Sequence, residues 1–226
     1  MAQAIKHAVL FGATGLVGGH LLQQVLASER VERVTAVTRR PLPVQHAKLT
    51  NLVNDLAGEQ APPELAGADA AFSCLGTTLA QAGGKQGFYA VDHDLCLRCA
   101  KWARQQGVPH FFMVSAMGAG DYSPVYYNRV KAETERDLIA LRFPRLTLMQ
   151  PSLLLGERGG PARPGEAMAI KLAPLISPLM MGPLSPYTPV LARDVAAAML
   201  ARALRPSDAP VERLRWLDFM ALIGKN

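Results

Sequence analysis

Tyr127 and Lys131 stand four residues apart in a stretch with helical periodicity, and Ser115 lies twelve positions earlier at the end of an apolar run. Positions i and i+4 share one helix face, so an ammonium is set beside a phenol. That neighbour favours the phenolate and draws its pKa down from about 10 towards working pH, while a serine hydroxyl nearby can hold a carbonyl oxygen. Together the three describe a proton donor for a carbonyl that accepts a hydride. Tyr126 is the rival tyrosine, but one residue earlier it is rotated about 100° round the helix from Tyr127. A Tyr-x-x-x-Lys pair is also common on solvated helix faces, so its weight comes from the elements around it.

Those elements begin with an apolar strand, Val9-Leu10-Phe11, that runs straight into Gly12-Ala13-Thr14-Gly15-Leu16-Val17-Gly18 and then into a helix over about 18–28 with Leu22, Val25 and Leu26 inward. This is the layout of a dinucleotide phosphate site. Gly12 permits the tight turn, Gly15 lets the backbone approach a pyrophosphate, and Gly18 lets the helix lie against the strand. The helix start then offers free N–H groups to the anion. A plain strand-to-helix turn would use the same glycines, and the spacing is G-x-x-G-x-x-G rather than G-x-G-x-x-G.

Further strands are expected over 34–37, 49–53, 70–74, 110–115 and 146–150, the last closed by Pro151. Helices are expected over 88–106, stopped by Gly107, and over 126–141, 193–200 and 214–223. Continuous apolar strands alternating with helices predict an α/β fold, a Rossmann-like doubly wound parallel sheet covered on both faces. Ligands in such sheets bind at the carboxyl ends of the strands, here Phe11, Val37, Val53, Cys74, Ser115 and Gln150. Residues 159–190 are rich in proline and glycine, with a short apolar helical piece over 166–173. They read as an irregular lid or small C-terminal substrate-binding lobe of a single domain spanning 1–226. Met168, Leu172, Leu175, Met180 and Met181 make that segment apolar, which suits an apolar substrate, a packed lid or a subunit contact equally.

The chain has 226 residues, half of them hydrophobic, and a formal charge of +6. The arginines are scattered and no aromatic-interleaved basic patch exists, which argues against nucleic-acid binding. Cys96 and Cys99 form a C-x-x-C on a helical pattern with Leu95 and Trp102. With no second pair to complete a tetrahedral set they read as buried thiols, and no metal site is expected. The first seven residues are too weakly apolar for a signal peptide, and the greasy run over 172–184 is broken by Pro174, Pro178 and Pro183, so no membrane span and a cytoplasmic location are expected.

With the glycine turn, Arg39-Arg40, Ser73-Cys74-Leu75-Gly76-Thr77-Thr78, Val91-Asp92-His93-Asp94, Tyr127 with Lys131, Arg163-Pro164-Gly165-Glu166 and Pro189-Val190, the chain resembles the extended and atypical short-chain dehydrogenase/reductases. It looks most similar to the oxidoreductases related to the human Tat-interacting protein, nearly end to end. The resemblance implies that Gly12, Thr14, Gly15, Leu16, Val17 and Gly18 hold the pyrophosphate and adenosine ribose. Asp55 and Leu56 would flank the adenine, and Leu75, Gly76 and Thr77 would run beside the nicotinamide ribose. Pro151, Ser152 and Leu153 would contact the nicotinamide, and Ser115, Tyr127 and Lys131 would be the catalytic set. The extended branch usually has an asparagine where this chain has Asp92, which leaves a helix-start acid and a catalytic role both open for that residue.

Selection of NAD uses an acidic residue at the end of the second strand, whereas this chain has Arg39 and Arg40 there. Two guanidinium groups suit a 2′-phosphate, so NADP(H) is the expected cofactor. The same arginines could merely end a strand before Pro41. The expected function is an NADP(H)-dependent oxidoreductase acting on a small, apolar carbonyl or alcohol substrate. The resemblance also supports an alternative, a regulatory protein that senses NADPH and acts through a protein partner.

Overall fold

The computed structural model describes residues 3–156 and 187–225. The elements run β1 (Ile5–Phe11), α1 (Leu16–Ala27), β2 (Val31–Thr38), β3 (Leu49–Val53), β4 (Ala70–Ser73), α2 (Lys85–Tyr89), a π-helical turn (Ala90–Leu95) and α3 (Cys96–Gln105). They continue with β5 (His110–Val114), α4 (Tyr126–Ala140), β6 (Arg145–Met149), β7 (Leu154–Leu155), β8 (Val190–Leu191), α5 (Ala192–Leu204), β9 (Val211–Leu214) and α6 (Trp216–Ile223). Seven strands form one sheet in the order β3-β2-β1-β4-β5-β6-β9, and every neighbouring pair is parallel. The order reverses between β1 and β4, which opens a crevice at their carboxyl ends.

Side chains alternate across this sheet, so one strand feeds two cores. Ala8 and Leu10 of β1 pack with Leu21 and Val25 of α1 and with Val195 and Met199 of α5. Val9 and Phe11 pack on the other side with Cys99, Ala100 and Trp102 of α3. The central strands are apolar along their length because both faces are covered.

Two features depart from the sequence reading. β9 extends the sheet where only a helix from about 214 was expected. Its pairing with β6 is reinforced by Thr147, whose hydroxyl donates to Glu212 at 2.8 Å. The helix behind it starts at Trp216, where the Arg215 N–H donates to Asp218. The expected helix over 88–106 begins earlier, at Lys85, and passes through a π-helical turn before ending at Gln105, short of Gly107 (φ +73°). The apolar piece over 166–173, the Arg163 to Glu166 motif and most of the expected lid lie outside the described residues. Their flanks, β7 and β8, pair in parallel as a separate two-stranded sheet. No helix among the described residues is long and apolar enough to cross a membrane.

Candidate functional site

The turn after β1 is built so tightly that only glycine fits at two of its positions. Gly12 has φ +81°, and a Cβ there would lie 2.7 Å from the Cys74 carbonyl group on β4's exit. A Cβ on Gly18 would lie 2.0 Å from the Gly12 carbonyl oxygen, so α1 packs directly on the turn. The Gly15 N–H donates to that same oxygen at 3.0 Å. No side chain caps the start of α1, and no acidic residue sits in its first turn. Leu16 and Thr14 are accessible there, while Val17 turns into the core. An uncapped helix N-terminus over a glycine turn fits the pyrophosphate of a dinucleotide.

At the end of β2 the chain leaves the sheet at Thr38, whose hydroxyl donates to the Arg40 carbonyl at 2.7 Å. Arg39 and Arg40 are exposed, and neither side chain has an ion-pair or hydrogen-bond partner among the described residues. Past β3, Asn54 and Asp55 each accept a backbone N–H two residues on, forming consecutive turns. They force Leu56 into the left-handed region (φ +61°), with its side chain buried and its carbonyl held by Arg98 at 2.7 Å. Asp55 is therefore exposed at the rim, whereas the Leu56 side chain faces the core and its N–H and carbonyl are both already hydrogen-bonded.

Lys131 is the centre of the second half of the site. It is buried, its Nζ donates to the Val114 carbonyl at 3.2 Å, and it lies 5.8 Å from the centroid of the Tyr127 ring. The Tyr126 hydroxyl instead donates outward to the Lys85 carbonyl. Asp92 projects from the π-helical turn with its side chain 1% exposed, and its Oδ1 meets Lys131 Nζ as an ion-pair contact at 2.8 Å rather than as a well-aligned hydrogen bond. Its Oδ2 accepts the Thr77 N–H at 2.8 Å. Burial disfavours the Lys131 ammonium, but Tyr127 and Asp92 outweigh it and hold its pKa above the ordinary lysine value. Leu75, Gly76 and Thr77 thus run from the end of β4 across this pair, and a Cβ on Gly76 would sit 3.5 Å from Asp92.

Ser115 has a different partner from the one its position suggested. It is 2% exposed, and its hydroxyl donates to Glu135 at 2.5 Å. Glu135 also accepts from Gln150 at 2.9 Å and pairs with Arg213 at 2.9 Å, while Arg215 donates to Gln150. This buried network ties α4 to the ends of β5, β6 and β9. Glu135 had no sequence signal and Gln150 was marked only as a strand end: their joint role depends on β9, which brings in the arginines. Pro151 is buried with its carbonyl accepting from Met117. Ser152 donates to the Thr188 carbonyl, and Leu153 is 60% exposed. Cys96 and Cys99 are buried free thiols pushed up in pKa by that burial.

The family model described as NAD(P)H-binding matches residues 12–143. A mitochondrial protein of Eremothecium gossypii named FMP52 is 34% identical over 97% of this chain and 98% of its own length. Protein HTATIP2 of Rattus norvegicus is 35% identical over 74% of this chain and 69% of its own. Among solved structures, a UDP-N-acetylglucosamine 4-epimerase from Methanobrevibacter ruminantium superposes with a TM-score of 0.68 at 17% identity, covering 95% of this chain and 77% of that one. A UDP-glucuronic acid 4-epimerase from Bacillus cereus in complex with NAD gives 0.66 at 14%, covering 97% and 85%. The epimerases share the fold. The FMP52 relatives are named as mitochondrial, which overturns the cytoplasmic location expected from the weakly apolar N-terminus.

Proposed function

We propose that this chain, which belongs to the NAD(P)H-binding family of atypical short-chain dehydrogenase/reductases related to HTATIP2, is an NADP(H)-dependent oxidoreductase acting on a small carbonyl or alcohol. The observation that carries this reading is the buried Lys131 ammonium beside the Tyr127 ring, at the carboxyl edge that also holds the glycine cradle. Bound nicotinamide supplies or takes the hydride. Gly12, Gly15 and Gly18 leave room for the pyrophosphate, and the start of α1 faces its charge. Tyr127 gives its phenolic proton to the substrate oxygen, or takes it back in the reverse direction. Lys131 lowers the cost of the phenolate. Arg39 and Arg40, exposed and without side-chain partners among the described residues, support a 2′-phosphate and hence NADP(H).

The commitment of Ser115 to Glu135 favours a second reading, in which the cofactor is bound and sensed without turnover, through a protein partner. A panel of apolar aldehydes and ketones with NADPH separates the two. Turnover that falls about 10²–10⁴-fold in Tyr127→Phe, with NADPH affinity kept, is the expected result for the oxidoreductase. Tight NADPH binding with no turnover on any carbonyl would overturn it in favour of the sensor.

A further inference from the structure

Asp92 is the buried group that the Tyr127–Lys131 reading leaves without work, and both of its oxygens are occupied by donors. Oδ1 meets the Lys131 ammonium at 2.8 Å, and Oδ2 takes the Thr77 N–H at 2.8 Å. A carboxylate accepts at both oxygens. An asparagine amide has a single acceptor oxygen, and its NH₂ would face a donor. The segment carrying Asp92 is fixed from several sides. Thr134 of α4 donates to the Asp92 carbonyl at 3.2 Å, and His93, next along the turn, contacts Asp94 at 2.8 Å and Asp137 of α4 at 3.0 Å. Against Lys131 itself stand Tyr127 of its own helix, Asp92, the Cys96 thiol at the start of α3, and the Val114 carbonyl of β5.

We propose that Asp92 is a positioning residue that keeps buried Lys131 charged and, through the same carboxylate, fastens the Leu75 to Thr77 loop over it. A buried lysine without a counter-ion sheds its proton towards neutral pH, and the Tyr127 phenol would then lose the ammonium that assists it. The two acceptor oxygens also make one side chain answer to both halves of the site. If the loop pulls away from Oδ2, the carboxylate that holds the lysine is freed to move. The consequence for turnover rests on the oxidoreductase reading; the charge state of Lys131 does not.

The test is an NMR titration of the protein with ¹³C-labelled lysine, the Lys131 signal being assigned by its loss in Lys131→Met. In the wild type this signal should keep its ammonium position to a higher pH than an ordinary lysine at about 10.4. In Asp92→Asn its midpoint should fall by about one pH unit or more, the size expected when an opposite charge in contact is removed, and Asp92→Glu should restore most of it. The pH midpoint of NADPH turnover should move down with it, since the Tyr127–Lys131 pair then releases its first proton more easily. An unchanged Lys131 midpoint in Asp92→Asn overturns the proposal. Should that variant fail to fold, a wild-type midpoint below the ordinary lysine value overturns it equally. A shifted midpoint in a protein that turns over no carbonyl leaves this inference standing and removes the oxidoreductase reading.

Discussion

Gly18 and Gly19 are adjacent glycines on α1, and replacing each by alanine should have opposite effects. A Cβ on Gly18 would sit 2.0 Å from the Gly12 carbonyl oxygen, 2.8 Å from its carbon and 3.1 Å from the Cys74 Cβ. The turn cannot retreat, because Gly12 is itself pressed against the Cys74 backbone and its oxygen holds the Gly15 N–H. The start of α1 must therefore move by roughly 1 Å, an overpacking cost of about 1–3 kcal/mol, at its upper end here because the obstacle is backbone. The gain of about 1 kcal/mol from alanine's helix propensity leaves a net loss of about 2 kcal/mol. On Gly19 the nearest atom is the Ala13 oxygen at 3.7 Å, an ordinary contact, so only the propensity gain remains. Gly18→Ala and Gly19→Ala should thus differ by about 3 kcal/mol, or about 6–12 °C in thermal midpoint for a domain of this size. NADPH affinity, followed by nucleotide fluorescence, should drop at least about tenfold only in Gly18→Ala, roughly 1.4 kcal/mol. A Gly18→Ala protein as stable as Gly19→Ala, with unchanged NADPH affinity, would refute the argument from close packing.

Two further outcomes can be measured directly. Arg39→Ala should weaken NADPH binding about 10–100-fold, the value of one charge-assisted contact, and leave NADH binding nearly unchanged in the same titration; equal losses would remove the 2′-phosphate assignment. His110 is buried, its ring nitrogen 2.9 Å from the Thr147 hydroxyl, and burial, with Arg145 and Arg202, holds its pKa down to about 3. Below about pH 6.5 the unfolded chain takes up a proton that the folded one refuses, so stability present above that pH is lost as pH falls towards 3. The loss is about 3 kcal/mol between pH 6.5 and pH 4. Urea midpoints at those two pH values should converge in His110→Gln, and an equal acid loss in both proteins would exclude His110 as its source.

What could be read from the sequence is what is local. The Gly12 turn, the apolar strands and the Tyr127–Lys131 spacing each lie within about a dozen residues, where periodicity and turn chemistry operate. The sequence alone separates Tyr127 from Tyr126 because helical rotation is a local property. β9 was not legible, since Val211–Leu214 is four residues long and alternates no pattern that a helix start could not share; its identity comes from pairing with β6. The partner of Ser115 was hidden for the same reason, as Glu135 becomes a buried hub only with Arg213 of β9 beside it. The π-helical turn has no compositional signature either, although Asp92 within it was singled out as a departure from the extended branch. Leu56 was placed beside the adenine only by the family resemblance, and its left-handed backbone, which arises from the successive Asn54 and Asp55 turns, has no sequence signature of its own.

β7 and β8 carry an implication of another kind. Leu154 pairs with Val190 and Leu155 with Leu191, so two points far apart in sequence are clamped side by side, apart from the seven-stranded sheet. Doubling the length of chain between two clamped points costs only about 0.6 kcal/mol in loop closure, so the β7–β8 clamp is insensitive to how much chain joins its two strands. Two strands of two residues each can in this way hold both ends of a variable stretch in place without drawing on the sheet that carries the glycine turn.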